Sequence, residues 1–415
     1  MNKRIWLVNP AVMPPKYESR IQTLKRAQYL MELGYDVIVV GGSFLHNTDI
    51  NLIEDGDRYK LAQYGKLKFI HILTKNYKGN GLWRFYNLFE FHLRLFFLAK
   101  KLPKPDIISL VAAVPFCNIT YFLAKKLNAK FTIDIVDLWP ESFLAFGLVS
   151  KNNPFLKLSY LAEKWLYERA EKIVFSMEGG SDYIREKGWD IFSGGEIDLN
   201  KVYYINNGVD IAEFDHNKEH FKIDDSDLED DETFKVIYLG SIRLANDIKQ
   251  LVDAAAILKG EKNIKFLIYG DGDDRSNLED YCKRNKISNV IFKQKWVEIT
   301  YVPYILSKSS LNVLNYKNSS IFRYGGSQSK SFQYMASGKP IISNIEMNYC
   351  PIAKYKIGVA KVFASPEEYA ESILSIVRMD KDDYRELCVR SRKAAADYDY
   401  KKLTNKFNEM LLAKD

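Results

Sequence analysis

Apolar residues along this chain fall into short continuous runs, separated by longer stretches in which they recur every three or four positions. A run of four to eight apolar residues without polar alternation predicts a strand buried on both faces, and the longer period predicts a helix. The first run is Arg4–Val8, RIWLV. A proline-containing loop follows, NPAVMPPKYES, then the amphipathic stretch RIQTLKRAQYLMELG, closed by Gly34. Further strands are predicted at Asp36–Val40, Leu67–Leu73, Asp106–Leu110, Phe131–Ile135 and Lys172–Phe175, with a short one, VYYI, reaching Ile205. Helical stretches separate most of them. Strand–helix alternation with continuous apolar strands predicts a parallel sheet covered on both faces.

The pattern then breaks at DDSDLEDDE (Asp224–Glu232), an acidic run poor in core residues that reads as a solvated linker or loop. A second series opens at FKVIYLGS (Phe234–Ser241) and continues with helix 248–258, strand Ile264–Gly270, helix 276–285, and strands Val290–Phe292 and Ser310–Leu314. Helix SKSFQYMASG, strand Pro340–Ser343 and a final pair of helices complete it. The reading is thus an α/β protein of two doubly wound, Rossmann-like parallel-sheet domains facing an interdomain cleft. The domains are set at 1–209 and 210–395, with a terminal helix at about 396–415. A length of 415 residues suits two cores better than one. The halves share no sequence repeat.

Ligands of such sheets bind at the carboxyl ends of the strands, so the loops there carry the candidate chemistry. The most informative is FRYGGSQSKSFQYMASGKPII. A glycine-rich loop runs into a short helix that Ser329 can cap, and a helix N-terminus behind glycines suits an anion. Gln333, one turn on, shares a face with Ser329 and can reach a neutral polar group such as a ribose hydroxyl. An ordinary loop-to-helix turn accounts for the same residues. After the second series' first strand come Gly240, Ser241 and Arg243; the glycine lets backbone approach a phosphate, and a guanidinium can pair with it. A surface arginine in a turn is the alternative. Gly270-Asp271-Gly272-Asp273-Asp274 carries three carboxylates but lacks calcium-loop spacing, and is read as a tight turn.

In the first half, FTIDIV leads to Asp137-Leu138-Trp139-Pro140-Glu141-Ser142. Trp139 offers a face for a sugar ring, Asp137 could orient or deprotonate an acceptor hydroxyl, and Glu141 could hold a second polar group. Against this stands a helix-capping Asp137 and a core Trp139. Residues 78–104 interleave aromatics with basic residues, which suits a membrane interface at Trp83, Arg84, Arg94, Lys100 and Lys101. It also suits a helix packed on the sheet with a basic outer edge.

Composition narrows the classes. Residues 1–210 hold 28 Lys and Arg against 22 Asp and Glu, a net of +6 of the chain's +7. That excess suits an anionic partner or an ordinary spread of surface charge. The four cysteines show no paired spacing, which argues against zinc and disulfides and suits a reducing compartment. The five histidines form no metal-binding pair with a nearby acid, and His216 and His220 read as a solvated face. Without GxSxG or an early GxGxxG, hydrolase and nicotinamide chemistry are disfavoured. No RNA-binding motif appears, so nucleic acid is not an expected partner. No apolar run is long enough to span a bilayer, and the N-terminus enters a strand directly, so a cytoplasmic protein, peripheral at most on the inner membrane face, is expected.

PPKYESR, LPKPDIISL, VDLWPESFLAFGLVSKNNP, YINNGVDIAEF, FLIYGDGDD and FRYGGSQSKSFQYMASGKPII together resemble the GT-B fold retaining glycosyltransferases of family 4. The nearest branch builds bacterial capsule, colanic-type or O-antigen polysaccharide. The resemblance runs almost end to end. It implies a nucleotide-sugar donor, UDP-linked, on the C-terminal domain, a lipid-linked saccharide acceptor, and no obligatory metal or other cofactor. It implies donor contacts from Gly240, Ser241, Arg243, Gly270, Gly325, Gly326, Ser329, Lys330, Ser331 and Gln333. Arg243 and Lys330 would lie at the diphosphate. Acceptor contacts would come from Lys16, Arg20 and Trp139, with Asp137 and Glu141 in catalysis beside Arg243 and Lys330. Asn207, Gly208 and Asp210 match the hinge-side segment. Two positions depart from the family: Gly325 and Gln333 stand where a pair of glutamates eight residues apart is usual. The first loop carries Pro14-Pro15-Lys16-Tyr17 in place of a glycine pair, and no histidine near Ser109 matches the acceptor-side one. A sugar-nucleotide epimerase or hydrolase, or a non-catalytic sugar-nucleotide-binding subunit, fits the same fold.

Overall fold

The computed structural model describes residues 3–18, 21–54, 56–79, 81–113 and 116–413. They form two compact units, one of 1–206 with 400–415 and one of 207–399.

The first unit is built on eight strands: β1 (Arg4–Val8), β2 (Asp36–Gly42), β3 (Tyr59–Tyr64), β4 (Leu67–Ile72), β5 (Ile107–Val111), β6 (Lys130–Ile135), β7 (Lys172–Phe175) and β8 (Val202–Tyr204). Their order is β3-β4-β2-β1-β5-β6-β7-β8. All neighbours run parallel except β3 and β4. The apolar runs predict the parallel strands closely, because each is buried on both faces. β3 escaped because its sequence, YKLAQY, lies largely exposed at the sheet edge and presents no apolar run. A two-residue turn at Gly65 (φ +60°) folds it back on β4. Helix Tyr400–Leu412 seats Leu403, Phe407 and Met410 in the same core as Ile5, Leu7, Leu24 and Val39. Below β6, Arg26 and Asp134 form an ion pair with both side chains out of water, and the Arg26 guanidinium lies 4.5 Å from the Phe407 ring.

The second unit has six parallel strands: β9 (Phe234–Leu239), β10 (Ile264–Tyr269), β11 (Val290–Phe292), β12 (Leu311–Leu314), β13 (Ile341–Ser343) and β14 (Gly358–Ala360). The order β11-β10-β9-β12-β13-β14 reverses direction between β9 and β12. β14, only three half-buried residues, carries too few apolar positions to be read in advance. Three helices follow β14: Pro366–Val377, Lys381–Ala395 and Tyr400–Leu412, the last belonging to the first unit.

The acidic run is not a solvated linker. Ser226–Glu229 is a helical turn whose Leu228 is fully buried with Ile237, Leu267 and Ile305. Its carboxylates meet lysines of the sheet: Lys293 with Asp225 and Asp227 at 2.7 Å each, and Lys265 with Asp227 at 3.0 Å. Lys308 pairs with Glu229 at 2.7 Å. The low count of core residues misled because one leucine and a set of ion pairs suffice to bind so short a strap.

Candidate functional site

The reversal between β9 and β12 places their carboxyl-end loops side by side, the position at which open α/β sheets take ligands. The β9 loop, Gly240–Arg243, is stacked on the β10 loop. The Gly240 N–H donates to Tyr269 O at 3.0 Å, and the Ile242 N–H to Asp271 O at 2.9 Å. Glycine is required at three points there. A Cβ on Gly270 (φ +120°) would lie 1.9 Å from Gly240 O, and one on Gly272 would lie 2.1 Å from Ile242 O. One on Gly240 (φ +150°) would lie 2.2 Å from Lys330 Nζ. Asp271 and Asp273 point to solvent, so GDGDD is a turn and its glycines fit the neighbouring loop. Among the described residues, no three His, Cys, Asp or Glu side chains gather as metal ligands.

Lys330 is the centre of the arrangement. It belongs to the first turn of helix Ser329–Ala336. Its ammonium donates to the Tyr238 hydroxyl at 3.0 Å, and that hydroxyl donates to Ser241 O at 2.6 Å. The rings of Tyr238 and Tyr316 lie 4.5 and 5.8 Å from Nζ. No carboxylate among the described residues pairs with it. Burial without a counter-ion penalises the charged form and brings the Lys330 pKa down to about 7. A desolvated cation facing only a phenol, tyrosine rings and glycine backbone is arranged for an anion brought from outside.

The rest of the helix differs in one respect from the sequence reading. Gln328, in extended conformation, is the residue before the helix, and no side chain caps it. Ser329 is therefore the first helical residue, exposed, and not the cap. Ser331 is buried, its hydroxyl donating to Gln328 O at 2.7 Å. Gln333 lies one turn beyond Lys330, half-buried, with no partner for its amide among the described residues. Gly325 (φ +85°) ends the preceding turn, and Gly326 passes close to the Gln328 side chain. Arg243 is exposed, without a hydrogen-bond or ion-pair partner among the described residues, and Ser241 beside it is exposed too. The structure thus brings Gly240, Gly270 and Lys330 together and leaves the Arg243 side chain in solvent. Sequence reasoning missed Tyr238 and Tyr316, which line the lysine. The one signal available was a tyrosine inside the buried strand FKVIYL.

In the first unit, Asp137 is exposed and Trp139 half-buried, its ring tilted against Phe143 with centroids 4.4 Å apart. Pro140, not Asp137, precedes the helix Glu141–Ala145. Glu141 is buried; its Oε2 accepts from Lys187 Nζ at 2.6 Å and from the Tyr160 hydroxyl at 2.5 Å. That oxygen is committed to holding the DLWPES turn, which corrects its assignment as a free catalytic carboxylate. Lys16 is exposed beside its neighbour Tyr17. Arg20 lies outside the described residues. Trp83, Arg84, Lys100 and Lys101 are exposed, and Arg94 is held by Glu90 at 2.7 Å.

Two doubly wound parallel sheets, one with a glycine-lined cationic site at its reversal point, define a GT-B glycosyltransferase architecture. Residues 219–397 match the family model described as glycosyl transferases group 1. No curated protein sequence matches the chain. Solved structures match it over its whole length. A glycosyltransferase from Rickettsia africae is 16% identical with a TM-score of 0.67, covering 100% of both chains. Sucrose-phosphate synthase from Thermosynechococcus elongatus is 14% identical with a TM-score of 0.70, covering 99% of this chain and 98% of its own. Anabaena HepE, in complex with UDP and glucose, is 12% identical with a TM-score of 0.65, covering 99% and 100%. The chain is a glycosyltransferase enzyme of GT-B fold.

Proposed function

We propose that the chain moves a sugar from a UDP-linked donor to a hydroxyl of a lipid-linked saccharide, with retained anomeric configuration and no obligatory metal, in bacterial surface polysaccharide synthesis. The observation that carries the donor side is the unpaired Lys330 ammonium beside Gly240, where the sheet order reverses. A diphosphate supplies the negative charge this site lacks. As the bond from the sugar C1 to the β-phosphate oxygen breaks, its electron pair leaves with the UDP. The acceptor oxygen bonds to C1, and its proton passes to the leaving diphosphate. Lys330 and Arg243 offset the charge developing on that group, and preorganised stabilisation of this kind is commonly the largest catalytic term. In this reading Gln333 meets a ribose hydroxyl and Trp139 packs on the acceptor sugar. HepE's UDP complex is consistent with the nucleotide chosen.

Titration of UDP and UDP-sugars into the whole chain and into Lys330→Met tests the reading. The expectation is binding to the parent and a loss of tenfold or more in the variant, of the order of ~1.4 kcal/mol or above. Equal binding by both would remove Lys330 from the donor site. Donor turnover without an acceptor would point to a hydrolase or epimerase, and proton NMR of the product's anomeric centre decides retention.

A further inference from the structure

Two helices of the first unit carry large apolar side chains on their outward as well as their inward faces. In helix Pro154–Arg169 the inward face carries Leu156, Ser159, Glu163, Leu166 and Tyr167. Glu163 is fully buried, accepting hydrogen bonds from Tyr167 at 2.7 Å and Tyr183 at 2.8 Å. The outward face, at the same helical spacing, carries Phe155, Leu158, Leu161 and Trp165, with Leu158 61% and Leu161 65% exposed. In helix Leu82–Leu98 the inward face includes Asn87 and Glu90, bonded to the Lys75 backbone at 2.8 and 2.7 Å. Its outward face carries Leu82, Trp83, Tyr86 and Phe97. A water-facing helix is polar on its outer face.

The outward faces join into one surface. Phe85 meets Phe155 at 5.5 Å and Phe143 at 6.1 Å, next to the exposed Phe146 and Leu148. Helix Asn118–Leu127 closes the gap, with Phe122 against Trp165 at 5.4 Å and Lys126 over Phe96 at 4.3 Å. An apolar area of this breadth on a soluble surface marks a contact with something apolar. Its charge says what kind. Arg84, Lys100, Lys125, Lys126, Lys151 and Lys157 are exposed on the same elements. The carboxylates of those helices are spent internally, Glu90 on Arg94, Glu163 on the two tyrosines and Glu168 on Arg169.

We propose that these three helices and the Phe146–Leu148 turn form a docking surface for an anionic lipid bilayer, sinking the apolar side chains to the headgroup boundary while the lysines meet lipid phosphates. This rests on, and extends, the reading of a lipid-linked acceptor: the surface is continuous with Phe143, which the Trp139 ring meets at a tilt. Among the described residues no helix is long and apolar enough to cross a membrane, and the proposed contact is interfacial.

The test is co-sedimentation of the whole chain with vesicles of phosphatidylcholine alone or mixed with phosphatidylglycerol. Binding is expected to the mixed vesicles and at least tenfold weaker to the neutral ones or at high salt. Leu158→Ser with Leu161→Ser is expected to cut it tenfold or more with an unchanged melting temperature and unchanged UDP binding, since neither side chain is in the core. Val389→Ser, exposed on the second unit, should leave it unaltered. Equal pelleting of parent and double variant, or indifference to lipid charge, overturns the proposal. So does a lipid-free dimer in analytical ultracentrifugation that the double variant dissociates, which would make the face an interface between copies. A chain that binds vesicles but not UDP would sink the donor reading alone, and the reverse result this one alone.

Discussion

Lys330 has a pKa near 7 because it is desolvated and faces no carboxylate. A bound diphosphate favours the charged form and must raise that value. At pH 8 the free side chain is mostly neutral, so binding UDP takes up a proton. At pH 6 it is already charged and takes up almost none. Calorimetry in buffers of different ionisation enthalpy reads this difference, and uptake independent of pH would exclude Lys330 from contact with the nucleotide. Arg243 belongs to the same scale. Its side chain is exposed and has no partner among the described residues. Arg243→Ala is expected to lower kcat/KM about a hundredfold, roughly 3 kcal/mol of transition-state stabilisation, with the melting temperature unmoved. An unchanged rate would place the arginine outside the site. Gly240 and Arg243 could be singled out from the sequence because loops after strands announce themselves through glycine and charge; Gln333 followed from its helical spacing to Ser329, and Lys330 only from the family resemblance. Tyr238 and Tyr316 could not, since a tyrosine in or after a buried strand reads as core until its hydroxyl's partner is seen. Glu141 misled for a related reason: a carboxylate in a loop looks free until a distant lysine, here Lys187, arrives to neutralise it.

Among elements, the strands were the most legible, because burial on both faces writes an unbroken apolar run. Strands at the margins, β3 and β14, were not, since a half-covered strand needs no such run. The strap at Asp225–Asp230 was misjudged through composition. Its binding to the sheet is electrostatic, and that has a pH signature. Hydrogen bonding from Lys293 holds the Asp227 carboxyl below its usual range. Its contribution is therefore complete above the unfolded carboxylate value near 4 and is lost as the pH falls through the lower, folded one. Asp227→Asn is expected to cost about 1 kcal/mol at pH 7, as partly exposed pairs do, and nothing once both forms are protonated. Urea melts of parent and variant at pH 7 and at pH 2.5 check it; an equal difference at both would deny the ion pair. The buried pair Arg26–Asp134 sits at the other extreme: Asp134→Ala strands a guanidinium away from water and is expected to cost roughly 3–5 kcal/mol by denaturant titration. A loss under 1 kcal/mol would mean water reaches Arg26.

At the scale of the molecule, continuous apolar runs interleaved with helices fixed the fold class, while the outward-facing leucines of 154–169 stayed hidden in a pattern that looks like any core helix. Only the partners of Glu163 show which side faces in. The second unit's two ends meet: the Val209 N–H donates to Tyr398 O at 3.0 Å, and the Ile211 N–H to the Asp399 carboxylate at 3.2 Å. Residues 207–399 produced alone should therefore fold cooperatively and bind UDP; a fragment without a melting transition would show that the unit leans on the rest of the chain. The converse holds for the other unit, which is interrupted. Its last helix, Tyr400–Leu412, fills a slot over Leu24 and Val39. On the ribosome, that slot must stay empty until the whole of 207–399 has been made, so the part of the enzyme synthesised first is the part completed last.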